Sequence, residues 1–102
     1  MGYELVLPPD TQSEIADFIL NEFVGDVEQL EAAQAVELEL DKLAANPKLG
    51  TSPPGPFENR PIYRFTIAVG EKRLTAQASY KVLERDGLIV VVGFGRVGPI
   101  AL

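Results

Sequence analysis

The residues of this chain best suited to chemistry are cations in apolar segments. Arg64, Arg73 and Arg96 lie in runs whose alternation predicts β-strands. The chain has no cysteine and no histidine, which excludes thiolate and imidazole catalysis, Cys/His zinc sites and disulfides. Stabilisation of a phosphate or of a developing oxyanion is therefore the chemistry that these three residues offer as catalytic candidates. We expect no metal and no cofactor.

A glycine motif near the end of the chain has the spacing of a dinucleotide-binding fingerprint. Gly93, Gly95 and Gly98 follow an apolar run as G-x-G-x-x-G. That fingerprint needs a following helix and a second parallel strand within a unit of roughly 30 residues. Only the four residues Pro-Ile-Ala-Leu follow Gly98. We therefore expect no NAD site.

Charge is distributed unevenly along the chain. The net charge is −6, but residues 1–46 hold eleven acids and one base, whereas residues 47–102 hold eight bases and four acids. This asymmetry predicts two faces of opposite potential. No apolar run approaches the roughly 18 residues that a membrane span needs, and no basic segment precedes an apolar core at the N-terminus. We expect a cytoplasmic protein with no membrane partner.

The first half of the sequence predicts a short strand and two helices. Residues 3–7 form the strand candidate, and Thr11 and Glu14 have capping-box spacing at the start of a helix that ends at Gly25. Asp26 begins a longer helix that stops at Asn46-Pro47. Its predicted inner stripe is Val27, Leu30, Ala33, Leu40, Leu43 and Ala44. Residues 46–61 contain five prolines and two glycines and are expected to be a spacer.

The second half predicts an antiparallel meander. Residues 62–69, 73–83 and 88–97 alternate with a period of two, and Gly70-Glu71 and Asp86-Gly87 suit tight hairpins. A two-residue loop at Asp86-Gly87 sets Tyr80 opposite Gly93 and Ala78 opposite Gly95. The predicted fold is a single α+β domain over residues 1–102, in which an N-terminal strand and a two-helix hairpin accompany the meander and the hairpin packs on one sheet face.

The other sheet face is predicted to be open and basic. In the predicted register, Arg64, Gln77 and Arg96 form one row across three strands. Burying several guanidinium groups costs several kcal/mol each, so this face should meet water or a partner. Its members are Arg64, Thr66, Arg73, Thr75, Gln77, Ser79, Lys81 and Arg96, beside Leu83, Val90, Val92 and Phe94. A plain solubilising role for the arginines is the alternative.

Several short segments resemble the RelE/ParE superfamily. They are "LAANPKL" closing the second helix, "IYRF" opening the meander and "GLIVVVGFGRV" ending it. The resemblance implies a toxin of a type II toxin-antitoxin module that a cognate antitoxin holds inactive. RelE-type members cleave mRNA on the ribosome with clustered basic residues, and ParE-type members inhibit DNA gyrase. By this resemblance, Tyr63-Arg64 matches the family's Tyr-Arg, and Arg96 matches its basic residue near the end of the last strand.

Two functional hypotheses follow. In the first, the chain is a toxin whose open face contacts the ribosome, mRNA or another macromolecule through Gln77, Lys81 and the arginines. In the second, it is a non-catalytic interaction domain that dimerises or binds a protein. In either case Val90, Val92 and Phe94 are predicted to form an apolar binding patch, for an antitoxin segment or for a second copy. Tyr80 is predicted to face the helices, where it cannot donate a proton to a substrate.

Overall fold

The computed structural model describes residues 2–52 and 60–97. Each predicted helix and strand forms within a few residues of its predicted bounds. In chain order they are β1 (Glu4–Val6), α1 (Pro9–Glu22), α2 (Asp26–Ala45), β2 (Ile62–Val69), β3 (Lys72–Leu83) and β4 (Leu88–Arg96). Short 3-10 turns cover Pro47–Leu49 and Glu84–Asp86.

The four strands make one mixed sheet in the order β1-β4-β3-β2. Strands β2, β3 and β4 form the predicted antiparallel meander, and β1 adds to it as a parallel edge strand beside β4. Helix α1 packs against β4 and α2 packs against β2, so both helices cover one face. Phe18, Phe23, Val36, Leu40 and Leu43 supply the helical half of the core. The predicted α+β architecture is confirmed.

Helix α1 begins three residues earlier than the capping-box prediction placed it. Pro9 occupies its first turn, where a fixed φ suits a helix and a missing N–H costs nothing. Thr11 therefore lies inside the helix and is buried, and its Oγ1 donates to the carbonyl oxygen of Val91 at 2.6 Å. The capping-box prediction for Thr11 and Glu14 is wrong, because no side chain caps this helix.

The inner stripe predicted for α2 is wrong at its N-terminal end. Ala32, Val36, Leu40 and Leu43 are the buried residues of this helix, whereas Val27 and Leu30 are exposed. Apolar residues occupy both sides of α2, and the periodicity alone could not say which side the sheet would cover.

A β-bulge in β4 changes which side chains lie on each face. Tyr80 pairs with Val91 and Ser79 pairs with Gly93, which leaves Val92 as an extra residue. The loop before β4 spans 84–87 instead of two residues. The predicted pairing of Tyr80 with Gly93 is therefore wrong, and every β4 residue after Val92 lies on the face opposite to the predicted one.

Candidate functional site

The candidate site is the sheet face that neither helix covers, which we call the open face. Its described members are Arg64, Thr66, Arg73, Thr75, Gln77, Ser79, Lys81, Val90, Val92, Gly93 and Gly95. Strand alternation places them there, because their neighbours Phe65, Ile67, Ala76 and Ala78 are buried beneath the helices. The extended period-two pattern of β2 and β3 thus builds a polar, solvent-facing surface on an apolar core.

Three cations of the open face have no acidic partner within residues 2–52 and 60–97. The salt bridges there join Lys42 to Glu39 and Arg96 to Glu22, and none involves Arg64, Arg73 or Lys81. All three side chains are exposed. Arg64 Nε donates to Gln77 Oε1 at 3.3 Å across the β2–β3 pair, which orients the guanidinium over the centre of the face.

These cations are spread along the sheet at regular intervals. Arg73, Gln77 and Lys81 follow each other at four-residue spacing on β3, and Arg64 lies directly beside Gln77. At about 3.3 Å per residue, the basic positions are separated by roughly 13 Å. This spacing suits separate phosphates of an extended polyanion.

Arg96 does not lie on the open face. The bulge at Val92 turns it to the covered side, where it opposes Ala76 and its Nη1 lies 2.8 Å from Glu22 Oε1 at the end of α1. The third member of the row that begins with Arg64 and Gln77 is Gly95. The predicted row of Arg64, Gln77 and Arg96 is therefore wrong.

Phe94 is also turned to the covered side. It is buried, and its ring packs edge-on against Phe18 at a centroid distance of 5.3 Å and lies 6.0 Å from Phe65. The prediction that Phe94 belongs to an exposed binding patch is wrong for the same reason. Val90 and Val92 do lie on the open face, and Val92 is 36% exposed.

Gly93 and Gly95 form the floor of a cavity at the β4 side of the open face. The cavity has a volume of about 250 Å³, and Glu14, Gln77, Ser79 and Phe94 complete its lining. A Cβ on Gly93 would come within 2.8 Å of Ser79 Oγ, so a side chain there would displace the hydroxyl. The glycines were predicted to face the helices. They instead lie on the open face, where the absence of side chains leaves a recess beside Gln77.

A second cavity of about 290 Å³ lies at the β2 edge and reaches Arg64. Leu49, Thr51 and Ile62 form the rest of its lining. Thr51 and Ile62 exchange both backbone hydrogen bonds, at 2.9 and 2.8 Å. Because backbone groups alternate in direction along a strand, the N–H and C=O of Arg64 also point to this edge. Arg64 thus presents a side chain to the open face and backbone groups to the cavity.

The two tyrosines that could transfer protons lie under the helices. Burial raises the pKa of Tyr80, although the hydrogen bond from Gly50 N–H partly offsets that rise. Tyr80 is fully buried and its hydroxyl donates to the Pro47 carbonyl at 2.5 Å and accepts from Gly50 N–H at 3.0 Å. The predicted inward direction of Tyr80 is confirmed.

Tyr63 is the second covered tyrosine. Burial and the hydrogen bond to Glu39 raise the pKa of Tyr63 to about 12, and its hydroxyl donates to Glu39 Oε2 at 2.6 Å. This hydroxyl points to α2 and away from the open face. Glu39 was not predicted as the partner of Tyr63, because a helix residue that accepts a hydrogen bond across 24 positions leaves no local signal in the sequence.

The open face contains few groups that could act as a base. Glu14 is the one carboxylate among the residues that line the glycine-floored cavity, and it comes from α1 at the rim. Within the described ranges, no three His, Cys, Asp or Glu residues lie close enough to hold a metal ion. No helix in that part of the chain is long and apolar enough to cross a membrane.

Three solved structures that share this fold are a RelE toxin and two RelBE toxin-antitoxin complexes. The RelBE2 complex of Mycobacterium tuberculosis aligns with a TM-score of 0.62 at 11% identity, covering 95% of this chain and 100% of that one. The intact E. coli RelBE complex aligns with a TM-score of 0.57 at 11% identity, covering 95% and 99%. A double arginine-to-alanine mutant of free E. coli RelE aligns with a TM-score of 0.57 at 13% identity, covering 93% and 83%.

The likeness to these structures extends over nearly the whole chain and establishes a RelE-like fold. Sequence comparison does not add to it: no protein family description matches this sequence, and no curated protein matches it.

Proposed function

We propose that this chain is the toxin of a type II toxin-antitoxin module and acts on an RNA-containing target through its open face. The observation that carries the proposal is the set of three cations without acidic partners, Arg64, Arg73 and Lys81, spaced along the uncovered side of a RelE-like fold. Exposed cations that are spaced roughly 13 Å apart are suited to the phosphates of an extended nucleic-acid strand. The translation machinery and its mRNA present such phosphates and are therefore the proposed targets.

The open face supports binding more directly than cleavage. In-line attack by a ribose 2′-hydroxyl develops negative charge that Arg64 or Arg73 would stabilise. Such a step also needs a group that removes the hydroxyl proton. Tyr63 and Tyr80 are held under the helices, and Glu14 is the nearest carboxylate to the face. We therefore propose that occupation of the target, with the cations as phosphate ligands, is the primary action.

An antitoxin is the proposed partner. Two of the structures that share the fold are RelBE toxin-antitoxin complexes, which supports a protein partner of that class for this chain. A segment that covers Val90 and Val92 would also block the open face, because Val90 lies beside Lys81.

A non-toxic interaction domain is the second candidate. It is favoured by the scarcity of proton-transfer groups on the open face and by the exposure of Val92 beside Val90. In that case Val90 and Val92 would contact a protein or a second copy of the chain, and expression alone would not slow growth.

Growth arrest upon expression tests the proposal. We predict that the chain slows growth when expressed alone and that the double variant Arg64→Gln/Arg73→Gln restores growth. The matched control is Lys48→Gln/Arg85→Gln, which removes two exposed cations that are not on the open face. The control should remain as toxic as the wild type. Equal relief by both doubles would show that only net charge matters, and the absence of arrest would favour the interaction domain.

Salt dependence of RNA binding tests the phosphate contacts directly. Three contacts on a single strand predict a slope of about −2 for log K against log salt, since each contact contributes about −0.7. The variant Arg64→Gln/Arg73→Gln should reduce the slope by about 1.4, and Lys48→Gln/Arg85→Gln should leave it unchanged. A slope that does not respond to the first variant would remove these arginines from the interface.

A further inference from the structure

Helix α2 exposes a second apolar stripe on the side turned away from the sheet. Val27, Leu30, Gln34 and Leu38 recur at spacings of three, four and four residues, which keeps them on one side of a helix. Val27, Leu30 and Leu38 are 71%, 60% and 63% exposed. The buried residues Ala32, Val36, Leu40 and Leu43 lie on the opposite side at 100° per residue. We call the exposed set the outer stripe.

Two further aliphatic side chains are exposed at the end of α1 and in the connection between the helices. Leu20 in the last turn of α1 and Val24 in the connection are 62% and 82% exposed. Five large aliphatic side chains in this part of the molecule are therefore left in water, two of them within four residues of Gly25. Core formation does not explain them, because the core side of α2 is complete without them. Exposed apolar side chains grouped in this way are typical of a protein-binding surface.

The charges beside the outer stripe indicate what covers it. Glu31 and Glu37 lie along its two margins, Asp41 lies at its C-terminal end, and all three are exposed. Within residues 2–52 and 60–97 none of the three makes a salt bridge, and the one base of α2, Lys42, is paired with Glu39. A second copy of this chain would bring two acidic margins together, which is unfavourable. The margins are complementary to lysine and arginine.

We propose that the outer stripe binds a basic amphipathic helix of a partner protein. The occupant presents aliphatic side chains at matching spacings of three and four residues, flanked by lysine or arginine that face Glu31, Glu37 and Asp41. The surface is separate from the open face, because α2 lies on the other side of the sheet. The inference therefore does not depend on the proposed toxin function.

The probe is a synthetic peptide helix with leucines at those spacings and lysines along both flanks. We expect it to bind the wild-type chain, and we expect Leu30→Gln/Leu38→Gln to weaken binding by at least about tenfold, since a buried leucine contributes roughly that factor. The matched control is Leu83→Gln/Val92→Gln, which changes two exposed aliphatic side chains away from α2 and should bind normally. A peptide with glutamates in place of the lysines should bind more weakly, and added salt should weaken binding of the lysine peptide.

Three results would overturn the inference: equal loss of binding in the control, equal binding of the acidic peptide, or a wild-type dimer in sedimentation that Leu30→Gln/Leu38→Gln converts to a monomer. The last would identify a second copy as the occupant. Since both leucines are exposed, the variant should unfold at the wild-type temperature, which separates lost binding from lost folding. It should also retain wild-type RNA binding and growth arrest, so failure of this inference is distinguishable from failure of the proposed function.

Discussion

The bond between Tyr63 and Glu39 links the sheet to α2 through a single pair of atoms. The tyrosine hydroxyl donates to Glu39 Oε2 at 2.6 Å, and Lys42 Nζ donates to Glu39 Oε1 at 2.9 Å. Burial on its own would raise the pKa of Glu39, but the two donated hydrogen bonds and the Lys42 charge outweigh it and lower the pKa. Glu39 is therefore held ionised by two donors from different elements.

This bond predicts a pH response with a defined sign. A lowered pKa in the folded state means that Glu39 stabilises the fold above its ordinary pKa and loses that contribution as pH falls. The raised pKa of Tyr63, about 12, means that its contribution is present below pH 10 and is lost as pH rises towards 12. We predict that Tyr63→Phe raises the pKa of Glu39 towards its ordinary value, as measured by NMR titration of the side-chain carboxyl.

The control for this prediction is Tyr3→Phe, which removes a hydroxyl that makes no side-chain bond to Glu39. It should leave the Glu39 titration unchanged. The complementary variant Glu39→Gln should lower the pKa of Tyr63, since the carboxylate charge that disfavours the phenolate is removed. An unchanged pKa of Glu39 in Tyr63→Phe would show that Lys42 alone sets it.

At the scale of elements, the bulge in β4 determines which residues belong to the candidate site. It turns Phe94 into the core and pairs Arg96 with Glu22. Thr11 of α1 donates to the carbonyl of Val91, one residue before the bulged Val92 and just beyond the last pair that β1 makes with β4. A helix side chain thus satisfies the strand backbone where β1 stops covering its edge.

Strand positions could be predicted from the sequence, but the two faces of β4 could not. The period of two gave the bounds of β2 as observed, and it gave the outward placement of Arg64, Gln77 and Lys81. A bulge has no compositional signal in "VVVGFG", because valines and a phenylalanine suit either face. The predictions for Phe94 and Arg96 failed at that one residue.

The helices show the same limit. Helix α2 has apolar residues on two opposite sides, so its periodicity allowed two orientations against the sheet. The side of α2 that faces the sheet carries Ala32, Val36, Leu40 and Leu43, which are buried. Residues that bind partners and residues that build the core carry the same hydropathy signal.

The hydroxyl of Tyr80 in β3 holds residues 47–50, which follow α2, against the sheet. Tyr80 Oη donates to the Pro47 carbonyl at 2.5 Å and accepts from Gly50 N–H at 3.0 Å. A Cβ on Gly50 would overlap the Tyr80 ring, so glycine is required for this close approach. These two hydrogen bonds of Tyr80 position Leu49 and Thr51, which line the cavity beside Arg64.

We predict that Tyr80→Phe lowers the free energy of unfolding by about 1–3 kcal/mol, because a buried carbonyl and N–H lose their partner while the ring remains packed. Urea unfolding measures the change. Gly50→Ala should destabilise the fold too, through overlap with the ring. Gly25→Ala is not a suitable control because Gly25 has a φ of 88°, so Thr66→Ala on the exposed side of β2 serves instead. A Tyr80→Phe variant as stable as Thr66→Ala would show that the two hydrogen bonds of the Tyr80 hydroxyl do not contribute to stability.

At the scale of the whole molecule, the sheet separates two layers of opposite charge. Helices α1 and α2 contain ten acids and one base, whereas the open face contains Arg64, Arg73 and Lys81. A chain with a net charge of −6 can therefore offer a cationic surface to a polyanion. We propose different partners for the two sides, a polyanion for the open face and a basic helix for the outer stripe.

This layering predicts how the acids of α2 affect RNA binding. Their distance from the open face is at least the diameter of a helix, about 10 Å, which exceeds the Debye length of about 8 Å at 0.15 M salt. Glu31→Gln/Glu37→Gln/Asp41→Asn should therefore leave the affinity for single-stranded RNA nearly unchanged at 0.15 M, as measured by fluorescence anisotropy. At 0.01 M salt the Debye length is about 30 Å, and the same variant should bind more tightly than the wild type.

The comparison variant Glu14→Gln removes the one carboxylate among the residues that line the glycine-floored cavity of the open face. Because Glu14 borders that face, we expect this variant to raise affinity at both salt concentrations. Equal gains from the two variants at 0.15 M would mean that RNA contacts the helices as well. That result would contradict the assignment of RNA to the open face, because only a ligand close to α2 could sense its acids through physiological salt.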